Sequence, residues 1–177
     1  MHILDVLQNA REAGASLVRL TIEEDLAADR LTIVVEDNGR GMDEKTRSKA
    51  LDPFFTTRTT RHVGLGLPLF AAAAERCNGS LKVESAPGQG TRVTATFQHS
   101  HVDRAPLGHI AESLMAFLMG DSPCDLVYCH RRDGREFSLD TRVVRQELGE
   151  IPFSHPAVRE WMRNYIAQEE DNLTRPA

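Results

Sequence analysis

Glu36-Asp37-Asn38-Gly39-Arg40-Gly41-Met42 is the stretch on which the reading of this chain turns. Before it, Leu31-Thr32-Ile33-Val34-Val35-Glu36 is β-branched and apolar, which predicts a buried strand over 31 to 36 that carries Asp37 to the edge of a sheet. Gly39 and Gly41 then turn the chain sharply. A carboxylate at such an edge can accept a hydrogen bond from an adenine amino group. Taken alone, the stretch also fits an ordinary Asp-Asn-Gly turn after a strand.

Two flanking segments bear on that choice. Upstream, residues 3 to 13 place Ile3, Leu4, Leu7, Ala10 and Ala13 near one helical stripe, with Gly14 as the stop. Asp5 and Asn9 stand at i and i+4, so they project from the same side, one turn apart. An amide oxygen beside a carboxylate suits a Mg²⁺ ion that keeps most of its waters and is otherwise held by phosphates, with the carboxylate left to orient a water. A solvated polar helix face has the same pattern. Downstream, Val63-Gly64-Leu65-Gly66-Leu67-Pro68-Leu69 opens the apolar segment Phe70 to Glu75. Pro68 suits a helix start, where free N–H groups meet phosphate oxygens. Gly88-Gln89-Gly90-Thr91 lies between two alternating segments, residues 80 to 85 and 91 to 97, and reads as a hairpin loop.

In this order the boxes resemble the Bergerat-type (GHKL) ATPase superfamily, which includes histidine kinases, gyrase, the heat-shock chaperone and the mismatch-repair ATPases. The resemblance covers residues 1 to about 98. The sensor histidine kinase branch is the most similar, because Asp52-Pro53-Phe54-Phe55-Thr56-Thr57-Arg58, followed by Gly64-Leu65-Gly66-Leu67-Pro68, resembles its phenylalanine box, short lid and second glycine box. The resemblance implies ATP and Mg²⁺ as cofactors and a two-layer α/β sandwich with a mixed sheet, a lid from about Thr56 to Val63 and helices starting near residues 2 and 68. It further implies Asn9 as Mg²⁺ ligand, Asp37 as adenine reader and Gly39 and Gly41 as the adenine-side turn. Gly64, Leu65, Gly66 and Leu67 fall on the phosphate-side turn, and Thr91 resembles the threonine that supports the adenine end. Arg58 stands where these kinases often carry a basic residue near the γ-phosphate.

The chain departs from the kinase pattern in two ways. It begins inside the nucleotide helix, so the dimerising hairpin that bears the phospho-accepting histidine is expected on another chain or a missing segment. In addition, Glu12 replaces a lysine sometimes found three residues after the asparagine, and Asp5 precedes Asn9 by four, as the water-activating glutamate does in the mismatch-repair branch. Asp5 is one methylene shorter than that base. Two functions are therefore expected: a kinase-like catalytic subunit acting on a partner's histidine, with Arg58 and Asp5 as catalytic candidates, or an ATP-driven switch or weak ATPase signalling to a protein partner.

Composition narrows the partners. The net charge is −5 and the dense charges are mixed in sign, so no basic stripe is offered to a nucleic-acid backbone. No apolar run approaches the roughly 20 residues that cross a bilayer, and no leader pattern opens the chain, so a cytoplasmic protein without a membrane partner is expected. Cys77, Cys124 and Cys129 are odd in number and irregularly spaced, as reduced thiols are. His99, His101, His109, Cys124, Cys129 and His130 match no common zinc spacing and read as linker and strand residues. Past the polar linker Gln98 to Gly108, residues 108 to 177 predict a separate small α-β-β-α-α module, with an Arg132-Asp133-Gly134 hairpin turn and helix starts at Asp140 and Pro156. No catalytic box is recognised there, and the Trp161 to Ile166 stripe is expected to be core.

Overall fold

The computed structural model describes residues 2–52, 66–119 and 123–175. In chain order the elements are α1 (Ile3–Glu12), β1 (Leu17–Asp25), β2 (Arg30–Asp37), α2 (Glu44–Lys49), α3 (Gly66–Arg76), β3 (Ser80–Ser85) and β4 (Thr91–Gln98), then α4 (Ile110–Leu118), β5 (Asp125–Arg132), β6 (Arg135–Asp140), α5 (Thr141–Leu148) and α6 (Pro156–Thr174). The six strands form one mixed sheet in the order β3-β4-β2-β1-β5-β6. All pairs are antiparallel except β1 with β5, which run parallel.

The pleat decides which face is covered. Val18, Leu20 and Ile22 of β1, Leu31, Ile33 and Val35 of β2, Val93, Ala95 and Phe97 of β4, and Leu126 and Tyr128 of β5 are buried on one side, against the helices. The alternate positions, such as Arg19, Glu23, Thr32 and Arg92, are exposed or half-exposed, so a second helical layer covers only one face. This is the two-layer α/β sandwich that the sequence predicts. From the helical layer, α1 inserts Ile3, Val6, Leu7 and Ala10, α3 inserts Phe70 and Ala74, and α4 inserts Ile110, Leu114 and Phe117. Full burial of one such Leu, Ile or Phe side chain is worth about 1.5–3 kcal/mol.

Every element expected past residue 108 is present, and the strands among them extend the same sheet. Leu17 to Glu24 of β1 pair in register with Asp125 to Arg132 of β5, and the buried residues of both halves form one hydrophobic cluster. The Asp133-Gly134 turn has both residues at positive φ (46° and 79°), as a two-residue hairpin of that hand requires. Asp140 caps α5 by accepting from the Arg142 N–H at 2.9 Å. In α6 the outcome differs from expectation at two positions. Val158, Met162 and Ile166 are buried, but Trp161 is 51 % and Tyr165 37 % exposed, their rings stacked 5.5 Å apart. One helical face of three apolar residues suffices to cover the sheet there, which leaves the two large aromatics on its flank.

A buried polar network fastens the linker and α6 to the sheet. Glu24, at the last inward position of β1, is 5 % exposed; its carboxylate accepts from His130 Nε2 at 3.0 Å, His99 Nε2 at 2.6 Å and Arg132 Nη1 at 2.8 Å. His130, 1 % exposed, donates through Nδ1 to Glu170 of α6 at 2.8 Å, and Glu170 also accepts from the Tyr128 hydroxyl at 2.7 Å. Burial alone pulls the His130 imidazole down, but bonds to Glu170 and Glu24 outweigh it and raise the group to about 9. Burial likewise pushes the Glu24 carboxyl up, yet His130, His99 and Arg132 hold it at about 2. His130 is thus an imidazolium donating from both ring nitrogens.

Candidate functional site

The site is built where β2 ends and β4 begins, beneath α1. Strand register puts Val18, Asp37, Thr91 and Ser85 in one row across β1, β2, β4 and β3. Because Val18 and the alternate residues Val35 and Val93 are buried under the helices, Asp37 and Thr91 share that covered face. The β-branched run that the sequence reads as a strand therefore delivers Asp37 to the helix-covered face at the sheet's edge. Its Oδ1 accepts from the Gly39 N–H at 2.8 Å, and its carboxylate also accepts from the Thr91 N–H. Burial raises the Asp37 carboxyl above its ordinary value, and the two N–H bonds oppose that rise.

The turn after Asp37 is packed too closely for side chains. A Cβ on Gly39 would stand 2.9 Å from both the Ala13 Cβ and the Ala13 carbonyl oxygen, and one on Gly41 would stand 1.9 Å from the Ala86 carbonyl oxygen. Gly90, at φ +75°, lets the hairpin loop approach the Asp37 carbonyl oxygen to where a Cβ would be 1.8 Å away. Arg40 N–H donates to the Ala13 carbonyl at 2.9 Å, which joins the turn to the end of α1.

α1 carries Asp5 and Asn9 on one flank, a turn apart. Asp5 Oδ2 lies 3.1 Å from His2 Nδ1, and a Cβ on Gly66 would stand 2.9 Å from the Asp5 Cβ. The first turn of α3, with Gly66 and Leu67, is thus seated against the Asp5 side of α1. The structure brings Asp5, Gly66 and Leu67 together at the α1–α3 contact, and Asp37, Gly39, Gly41 and Thr91 together at the strand ends. Arg58, Gly64, Leu65 and the expected lid lie outside the described residues, as does the box from Pro53 to Arg58.

Two further residues, not singled out in the sequence, organise the site. Asn38 Oδ1 accepts from the N–H groups of Ser16 and Leu17, at 2.9 and 3.0 Å, while its Nδ2 donates to Ser16 Oγ at 2.9 Å. It fixes the entry to β1 against the turn. Ser85 Oγ accepts from the Met42 N–H and donates to the Gly90 carbonyl, each at 2.8 Å, and lies 3.0 Å from Thr91 Oγ1. The hairpin register offers the only sequence signal for Ser85, since a five-residue loop over 86 to 90 sets it opposite Thr91.

Residues 2–101 match the family described as histidine kinase-, DNA gyrase B-, and HSP90-like ATPase. The chain belongs to this family. Among similar proteins are sensor protein kinase FleS of Pseudomonas aeruginosa, 40 % identical over 62 % of this chain and 27 % of its own length, and signal transduction histidine-protein kinase AtoS of Escherichia coli, 36 % identical over 52 % of this chain and 15 % of its own length. Tetrathionate sensor histidine kinase TtrS of Salmonella typhimurium is 32 % identical over 58 % of this chain and 17 % of its own length. The chain thus spans about a quarter or less of these relatives. It carries a histidine-kinase-like, ATP-binding catalytic domain of this ATPase family, related to signal-transduction kinases.

Among the described residues no cluster of three His, Cys, Asp or Glu side chains is arranged to hold a metal ion, and no helix is long and apolar enough to cross a membrane.

Proposed function

We propose that the chain binds Mg-ATP between α1 and the glycine-flanked strand ends, and passes the γ-phosphate to a histidine on a protein partner or another segment. The observation that carries the nucleotide reading is the Asp37–Thr91 row: a half-buried carboxylate facing the helical layer at the point where two tight turns leave the sheet. Asp37 accepts the 6-amino group of adenine there, with Thr91 beside it and Gly39 and Gly41 forming the wall. On the phosphate side, the Asn9 amide oxygen and the neighbouring Asp5 carboxylate are hard oxygen donors of the kind that suit Mg²⁺. Asn9 is assigned as the ligand. When bound, the ion neutralises charge on the phosphates. The first turn of α3, with Gly66 and Leu67, presents its N–H groups to phosphate oxygens, Gly64 and Leu65 are assigned to the same phosphate-side turn, and the Arg58 guanidinium offsets charge on the transferring group.

A second reading is favoured by Asp5, which sits one turn before Asn9 and against the start of α3. A carboxylate there can orient a water, so that ATP is hydrolysed slowly and the α4–α6 layer, which packs on α1, conveys the state of the site to a partner. Incubation with γ-labelled ATP separates the two. Negligible label is expected on the chain itself, since the acceptor is assigned to a partner or another segment; of its own histidines, His130 and His99 are committed to Glu24. Transfer appears as label on an added partner; hydrolysis appears as phosphate release that Asp5→Asn reduces. Acid-labile label on the chain would overturn the partner assignment.

A further inference from the structure

The base of the β3–β4 hairpin holds a pair of hydroxyls whose hydrogens are fixed by elimination. Ser85 Oγ lies 2.8 Å from the Gly90 carbonyl oxygen, and a carbonyl only accepts, so the one Ser85 hydroxyl hydrogen goes there. The Met42 N–H donates to Ser85 Oγ at 2.8 Å. In the remaining contact, 3.0 Å to Thr91 Oγ1, Ser85 has no hydrogen left to give. Thr91 must donate to Ser85, and its own oxygen is left with lone pairs alone. Asp37, directly opposite Thr91 in the sheet, is also an acceptor once its carboxylate has taken the Gly39 and Thr91 N–H groups.

We infer that Ser85 is a positioning residue: by taking the Thr91 hydroxyl hydrogen it makes this end of the pocket acceptor-only, and so sets the preference for a 6-amino over a 6-oxo purine. The inference rests on the adenine reading of Asp37 and Thr91. A 6-amino group brings two N–H donors to a wall of acceptors. A 6-oxo group brings lone pairs to the same wall, where neither the Asp37 carboxylate nor the Thr91 hydroxyl donates to it. If Ser85 is removed, the Thr91 hydroxyl turns freely and can donate to a 6-oxo group, so the wall no longer discriminates by polarity.

The test uses ATP and inosine triphosphate, whose bases differ in the 6-substituent and the N1 proton, with calorimetric titration of the 177-residue chain. The parent binds ATP in preference. Ser85→Ala lowers the ATP-to-inosine-triphosphate affinity ratio about 5- to 10-fold, the worth of one mis-set hydrogen bond, chiefly by improving inosine triphosphate binding. Ser85→Thr restores the hydroxyl and keeps the parent ratio. Ser85→Cys, a near-isostere with a weak donor, shifts the ratio in the same direction as Ser85→Ala and replaces it if that variant does not fold. Because Ser85 acts through Thr91, adding Ser85→Ala to Thr91→Val changes the ratio no further. Equal weakening of both nucleotides, an unchanged ratio in Ser85→Ala, or a ratio change that persists in the Thr91→Val background would each overturn the inference while leaving adenine selection by the parent intact. A parent that binds the two nucleotides equally removes the adenine reading itself and the inference with it.

Discussion

Glu24→Gln takes one charge out of the sheet and almost no volume, which isolates the electrostatic share of the network joining β1, the linker, β5 and α6. The carboxylate accepts three hydrogen bonds while 5 % exposed, and its main partner, His130, is 1 % exposed. Removing one member of a buried ion pair costs about 3–5 kcal/mol, because the other charge is left desolvated. The displacement of the Glu24 carboxyl from 4.5 to about 2, or of the His130 imidazole from 6.5 to about 9, corresponds to about 3 kcal/mol for this one shared interaction. For a chain of this size, 1 kcal/mol moves Tm by about 2–4 °C, so Glu24→Gln is expected to melt roughly 6–20 °C below the parent near neutral pH.

The pH dependence gives the same interaction a second signature. His130 is raised in the folded state, so its contribution is complete below pH 6.5 and is lost as pH rises through about 9. Glu24 is depressed, so its contribution is complete above pH 4.5 and is lost as pH falls through about 2. Denaturant unfolding followed by circular dichroism across these ranges should show the gap between parent and variant widest between pH 4.5 and 6.5 and narrowing on both sides. A stability loss under about 1 kcal/mol, the range of an exposed pair, or a gap that does not narrow toward alkaline pH, would refute the assignment of His130 as a charge shared by Glu24 and Glu170.

Asp37→Asn turns an acceptor-only carboxylate into a group that also donates, and should abolish adenine discrimination in calorimetry; Asn9→Ala should instead remove mainly the Mg²⁺ dependence of ATP binding. Gly90→Ala and Gly88→Ala form an internally controlled pair, since both glycines have nearly the same φ, +75° and +73°, in one loop. A Cβ at Gly88 meets nothing within 4 Å, so that variant should lose only about 1–2 kcal/mol of backbone strain. At Gly90 the same Cβ falls 1.8 Å from the Asp37 carbonyl oxygen, so thermal melting should show a larger loss, accompanied by weaker ATP binding as the Asp37 edge is displaced.

The sequence exposes those parts of the fold where a local rule is sufficient. Asp133-Gly134 between two apolar alternations specifies a hairpin by its own φ preferences, and Asp140 and Pro156 mark helix starts by the hydrogen bonds that they satisfy or do not need. The central strand β1 has no such marker. Its inward residues run Val18, Leu20, Ile22, Glu24, and the buried carboxylate at the end breaks the alternation that would reveal it. The six-residue α2 buries nothing and is held by the Asp43 cap on the Thr46 N–H, so apolar periodicity is silent there. In the candidate site Asp37 and Asn9 stand out as motif residues. Ser85 does not, because its role is set by what the hairpin places around it.

The pairing of β1 with β5 joins segments more than 100 residues apart, and a parallel pair has no tight turn to set its register. What fixes it here is chemistry at both ends of the strands. At one end the Asp125 N–H donates to the Ser16 carbonyl at 2.9 Å, and Asn38 holds the Ser16 and Leu17 N–H groups. At the other end Glu24 receives Arg132 and His130. Slipping the pair by one residue would turn His130 to the exposed face and leave Glu24 buried without its main partner, a loss of several kcal/mol. The same Asn38 that sets the first end follows Asp37 in the turn at the site. The parallel pair and the edge of the candidate site therefore share one anchor: the Asn38 side chain holds the start of β1, while its backbone continues the turn from Asp37.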